Sequence, residues 1–285
     1  SPLKFYDDFH KQNRYRSFAY GHVAPLITNP NVITPFCFCI GPKEEGVEYQ
    51  IHEITLYDAN TNRPIPISDL NTRFEDAGLT LKEINGYMVV WFRGIFPLNG
   101  VIDYEGQYFL GIPIHGEIYY SEVFCYTNDV SDCIKIEYWN PEGNLYVGGK
   151  YPVFPDDKAF HYILLLKSEL GKPEYSFEEE ATKRLGYSFI ESQVSKKTYK
   201  FNAVIPEYLC DAMRIIRLCS QKKITCKGET YDAITFNMEV DWQEQGDLAS
   251  VTCEFDVDNI ITNLGGFKRG RGDFNNDFNN DYYTE

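Results

Sequence analysis

Apolar and polar residues alternate with a period of two along much of this chain, the spacing that sets one face of a strand on a core and the other in water. Over residues 48–57, Tyr49, Ile51, Glu53, Thr55 and Tyr57 alternate with Gln50, His52, Ile54 and Leu56. Near the end, Val251, Cys253, Phe255 and Val257 alternate with Thr252, Glu254 and Asp256. The pattern predicts strands over 33–40, 48–57, 107–114, 117–126 and 133–139, separated by Gly, Asn and Asp turns. Residues 87–96 form an almost unbroken apolar run, short enough for a buried strand. Residues 60–66 carry strong turn chemistry, and 69–76 a helical turn. Short strands with turn signals every ~8–12 residues predict a β-sandwich-like domain.

Pro and Gly concentrate over 140–157, which predicts a boundary there. Beyond it, 160–167 resumes as a strand, and the charge-rich 173–184 reads as a helical turn or an exposed loop. Residues 187–205 read as one long strand or two around Ser195. Pro206 suits the first position of a helix that aligns Leu209, Ala212, Met213 and Ile216 on one stripe. Strands over 223–227, 231–241 and 249–257 complete the pattern. The fold expected is mainly β: an N-terminal β-sandwich-like domain over 34–145, a linker over 146–158, and an α+β module of antiparallel strands with one covering helix over 159–265.

The two ends differ from this body. Residues 1–33 interleave aromatics with charged residues without a clean period, as in an extended arm. Residues 266–285 contain Phe-Asn-Asn-Asp twice in tandem and lack the apolar content of a core, as in a flexible tail. The aromatics Phe5, Tyr6, Phe9, Tyr15, Phe274, Phe278, Tyr282 and Tyr283 are the candidate anchors of an assembly interface. For the arm, docking on this chain's own fold and docking on a neighbouring subunit both remain open. The triplet Arg271-Gly272-Asp273 spells an adhesion motif, and three residues in such a tail are a chance match.

Composition narrows the function classes. At 285 residues the chain suggests two domains. A net charge of −15 repels phosphate backbones, and the pairs Lys196-Lys197 and Lys222-Lys223 and the 268–271 cluster are short, so direct nucleic-acid binding is not expected. Eight cysteines occur without a Cys-x-x-Cys knuckle. Cys37 and Cys39 share a strand face with no second pair to complete a zinc site, so reduced structural thiols are expected. No apolar run reaches the ~18 residues that cross a bilayer as a helix. The first residues lack a signal peptide's apolar core, although a processed precursor would look the same.

Catalytic patterns are missing. Histidines 10, 22, 52, 115 and 161 stand singly, and His115 falls at a hairpin turn. The sequence contains no His-Glu-x-x-His, Gly-x-Ser-x-Gly, Walker loop or strand-linked Gly-x-Gly-x-x-Gly. Asp129 and Asp132 lack calcium-loop spacing. Paired glycosidase carboxylates from separate strands would leave no mark in the sequence. Trp91, Trp139 and Trp242 fall in or at the ends of strands and are expected in the core. The expectation is a protein without catalytic residues, metal or cofactor.

Two blocks carry a family resemblance. The first is Tyr119-Tyr120-Ser121-Glu122-x-Phe124 with Ile134 to Trp139, preceded by Gly106–Ile114. The second includes Tyr199, Phe201, Pro206, Leu209, Asp211, Tyr231, Asp241-Trp242, Gly246, Val251 and Glu254-Phe255. Together they span roughly 85 to 260 and resemble structural proteins of tailed phages of Bacteroidetes, including the crAss-like group. The resemblance implies a non-enzymatic tail, neck or ring subunit of a virion, made in the host cytoplasm. Its partners would be copies of itself and other virion proteins, with no membrane. A bacterial surface carbohydrate-binding or adhesion module is the alternative, and a hydrolase with dispersed carboxylates a third. Ring order and neighbours lie beyond the sequence.

Overall fold

The computed structural model describes residues 3–11, 27–28, 32–33, 35–92, 94, 96–98, 101–102, 104–127, 129–141, 161–184, 187–242 and 248–263. The chain is mainly β with several antiparallel sheets and few helices, as the alternation predicts. Strands β1 (Phe5–Tyr6), β2 (Ile27–Thr28), β3 (Val32–Ile33) and β4 (Phe36–Pro42) lead into β5 (Thr55–Asp58) and β6 (Pro64–Ile65). Helix α1 (Leu70–Asp76) precedes β7 (Leu79–Ile84), β8 (Tyr87–Phe92) and β9 (Phe96–Pro97). Next come β10 (Gly106–Ile114), β11 (Glu117–Ser121), β12 (Phe124–Tyr126), β13 (Cys133–Trp139) and β14 (Tyr162–Lys167). Two long strands, β15 (Glu174–Arg184) and β16 (Tyr187–Pro206), run up to helix α2 (Glu207–Met213). Then follow β17 (Gln221–Cys226), β18 (Glu229–Asp232), β19 (Asn237–Trp242) and β20 (Leu248–Asn263).

The large sheet runs β1-β11-β10-β12-β2-β14-β13-β17-β18, with β5 on β10 and β6 on β5. A three-stranded sheet, β4-β8-β7, and a four-stranded sheet, β15-β16-β20-β19, complete the main layers. Three hairpins close on two-residue turns with positive φ at both positions: Asn85-Gly86, His115-Gly116 and Lys227-Gly228. Those turns twist in the same sense as the strands they join, which fixes the register of each pair.

One hydrophobic core contains Phe36, Phe92, Leu110 and Phe124 from the first half and Ile136, Leu164, Phe201 and Phe255 from the second. Its aromatic spine links Phe5 to Phe36 at 4.8 Å, Phe36 to Phe92 at 5.0 Å and Phe74 to Phe96 at 4.2 Å between ring centroids. Leu209, Ala212, Met213 and Ile216 are all buried, as the expected stripe requires. The helix is shorter than expected, however. It ends at Met213 and gives way to a 3-10 turn over Ile216–Leu218, while Pro206 stays extended at ψ 164° as the last residue of β16.

The expected boundary at 146–158 lies outside the described residues, and the strands on either side of it share one sheet. β13, assigned by the sequence to the first domain, sits between β14 and β17, with Ile136 opposite Leu164 on one side and Ile224 on the other. Pro and Gly in a sequence signal a break between elements, and such a break separates neighbouring strands of one sheet as readily as two domains. First-half and second-half strands meet at β2 as well, where Ile27 is parallel to Cys125 and antiparallel to Leu165.

Three expected elements differ in detail. Residues 174–184 form strand β15, not a helical turn or loop, because eleven residues find partners on the next strand, β16, a pairing that overrides local preference. In the stretch 48–57, Thr55 begins the strand, while Ile51 bridges Ile114. There the Asn71 side chain of α1 takes the place of a strand neighbour: it accepts from Ile54 N–H at 2.5 Å and donates to the His52 carbonyl at 2.7 Å. The stretch 231–241 divides into β18 and β19, and the intervening Ala233 and Phe236 are buried.

Candidate interaction surface

The four-stranded sheet has an inner part that packs on the core and an outer part that does not. On β16, Tyr199, Phe201, Ala203 and Ile205 are buried, and on β20, Ala249, Val251, Cys253 and Phe255. Moving outward, Lys197 pairs with Asp258 and Thr198 with Asp256, so Val257 is an extra residue on β20. Such a bulge shifts the side-chain phase of the strand that carries it. Ile260 therefore joins the face of Tyr199 and Phe201, the two directly opposed positions being Ser195 and Ile260.

Beyond the bulge, β15, β16 and β20 form a three-stranded ribbon. Residues 174–181 of β15 are all exposed, with Phe177 at 76% and Tyr175 among the exposed aromatics, and Ile260 is 64% exposed on β20. Among the described residues, β19 covers β20 only as far as Glu254, opposite Asn237, and no strand pairs with the outer edge of β15. The acids of β15 are held by β16. Lys200 binds Glu174 at 2.7 Å, Lys196 binds Glu178, Gln193 donates to Glu179 at 2.8 Å, and Ser192 donates to Glu180 at 3.1 Å.

The anchors expected from the sequence are placed as follows. Phe5 is buried and stacks on Phe38 at 4.4 Å, so its ring is engaged within this chain. Tyr6, half-buried, donates to Glu122 Oε1 at 2.6 Å. Phe9 lies in a 3-10 turn over Phe9–Lys11. Tyr15, Phe274, Phe278, Tyr282 and Tyr283 lie outside the described residues. Sequence reasoning missed Tyr175, Phe177, Ile260 and Ile261. The signal available for them was the opposition of an acidic block at 178–180 to the lysines at 196–200.

The block Tyr119 to Phe124, singled out by the sequence, holds a structural polar knot. β11 and β12 both pair with β10, and the ladder is interrupted between Gly111↔Tyr120 and Tyr108↔Phe124. Ser121 Oγ accepts the Leu110 N–H at 2.9 Å inside that gap and donates to the Glu122 carbonyl at 2.9 Å. Glu122, itself buried, gives its N–H to the Lys4 carbonyl at 2.8 Å. The buried Tyr208 phenol sits well above its ordinary range, from burial first and the Glu122 charge second.

Among the described residues, the other titratable groups that could form a site show no reactive pairing. A surface groove of about 560 Å³ is lined by Val130, Asp132, Cys133, Lys135, Leu165 and Lys227, among others. Its lysines are engaged, Lys135 with Glu137 at 3.0 Å and Lys227 with Glu169 at 3.3 Å. Burial raises the Cys133 thiol, which suppresses the nucleophilic thiolate. His161 stacks on Trp139 at 4.4 Å, and burial lowers its pKa against the pull of Glu137. All eight cysteines are free thiols. Among the described residues, no group of three His, Cys, Asp or Glu could hold a metal ion, and no helix is long and apolar enough to cross a membrane.

Comparison with known proteins finds no matching family model, no matching curated protein and no matching solved structure.

Proposed function

We propose that this chain is a non-enzymatic assembly subunit that works by packing against copies of itself and neighbouring proteins, as a tail, neck or ring component of a virion would. The observation that carries this reading is the ribbon of β15, β16 and β20, which leaves the core with apolar side chains exposed and two long edges open among the described residues. Monomeric proteins blunt such edges, whereas assembling ones use them. The alternative of a carbohydrate-binding module needs aromatic side chains gathered on one platform. Trp91, Trp139 and Trp242 belong to three different sheets, and Trp91 is buried.

Mass photometry with negative-stain electron microscopy tests the reading. A multi-subunit particle of uniform size is the expected result. A chain that stays monomeric at every concentration and binds glycans would sink it.

A further inference from the structure

We propose that the outer edge of β15 in one copy pairs with the outer edge of β20 in the next, without stagger, so that the ribbon sheet continues from copy to copy. This rests on the reading above and names the surface through which the subunit meets a second copy.

The first ground is direction. β15 is antiparallel to β16 and β16 to β20, so β15 and β20 run the same way. Copies related by rotation about an axis along the strands would bring the two edges together as a parallel ladder.

Level is the second ground. Phe177 lies opposite Ser195, and Ser195 lies opposite Ile260. The two apolar side chains therefore stand at one height and on one face, each towards its own edge of the ribbon. In an unstaggered junction, Phe177 of one copy comes beside Ile260 of the next at the ~4.8 Å spacing of adjacent strands. A slip of one residue would send them to opposite faces. Each is exposed in the single chain, at 76% and 64%, so the junction removes apolar surface that the fold leaves in water.

The third ground is charge. Acids on an edge strand ordinarily deter pairing. Here Glu174, Glu178, Glu179 and Glu180 each already have a partner on β16, so the new ladder buries no unpartnered carboxylate among them. A two-fold junction of β15 with β15 in full overlap would instead set the two 178–180 acidic runs against each other. The contact is thus head-to-tail, of the kind that closes into a ring or continues as a filament.

Three proteins test it: wild type, Phe177→Glu and Ile260→Lys, each weighed by native mass spectrometry after circular dichroism has confirmed the fold. Wild type should assemble, and each variant should fall to the mass of one chain. An equimolar mixture of the two should regain assembly, because the introduced carboxylate of one copy then meets the introduced ammonium of the other. A wild-type oligomer that both variants retain, or a mixture that stays monomeric, overturns the edge pairing and leaves the subunit reading standing. Wild type that is monomeric at every concentration overturns both.

Discussion

The phenol of Tyr6 and the carboxylate of Glu122, 116 positions apart in sequence, meet in a 2.6 Å hydrogen bond that fastens the first strand to the large sheet. β1 has only two residues, with Phe5 opposite Ser121 and Tyr6 opposite Tyr120, too short a ladder to hold by itself. Removing the hydroxyl takes one donor from a buried carboxylate. Tyr6→Phe is expected to cost about 1–3 kcal/mol. The denaturant midpoint reads this directly, and an unchanged midpoint refutes the clamp.

The two parts of β20 should respond unequally to truncation. Phe255 is fully buried and Ile260 is mostly exposed, on either side of the Val257 bulge. Phe255→Ala should cost about 3–5 kcal/mol through the cavity it leaves. Ile260→Ala should stay within about 0.5 kcal/mol in the isolated chain. Equal losses in urea melts would mean that the ribbon packs on the core.

Gly111 lies under an aromatic stack. The rings of Tyr57 and Phe109 stack nearly parallel, with centroids 4.9 Å apart and an interplanar angle of 6°. A Cβ on Gly111 would come within 2.9 Å of Tyr57 Cε2. Gly111→Ala should therefore push the ring aside and destabilise by about 1–3 kcal/mol. Thermal unfolding measures it, and a stabilised variant would show that the ring yields freely.

Stability should fall on the alkaline side. Burial pushes the thiols of Cys125, Cys210 and Cys219 up to about 11, and it raises the phenols of Tyr138, Tyr162 and Tyr208. In the unfolded chain thiols ionise near ~8.5 and phenols near ~10. The unfolded state therefore loses protons first, and the stability these groups contribute is whole below about pH 8.5 and lost as pH rises towards 11. Urea midpoints should hold steady from about pH 7 to 8.5 and decline above it. A midpoint that climbs through that upper range contradicts the assignment.

The fold was legible where the signal is local. Alternation found β10, β13 and most of β20, and the Pro206 signal with the 209–216 stripe found α2. What escaped depends on which segments come to lie side by side. The acid run at 178–180 suits a helix or loop until the lysines of β16 stand beside it. The Pro- and Gly-rich stretch after β13 reads as a boundary because composition does not say which strand comes next to which. Phe177 fell in the stretch read as a helical turn or loop and Ile260 lay beyond the strand expected over 249–257, so neither was read as part of a sheet face.

Folding order has its own constraint in β2. Ile27–Thr28 bridges β12 and β14, so the large sheet cannot close until the chain has been made as far as Leu165. During synthesis the early strands must wait with an unpaired flank while more than a hundred further residues emerge, and contacts so distant in sequence form slowly. A nascent chain in that state is open to pairing with the wrong neighbour, which makes the rate at which β14 arrives a determinant of yield.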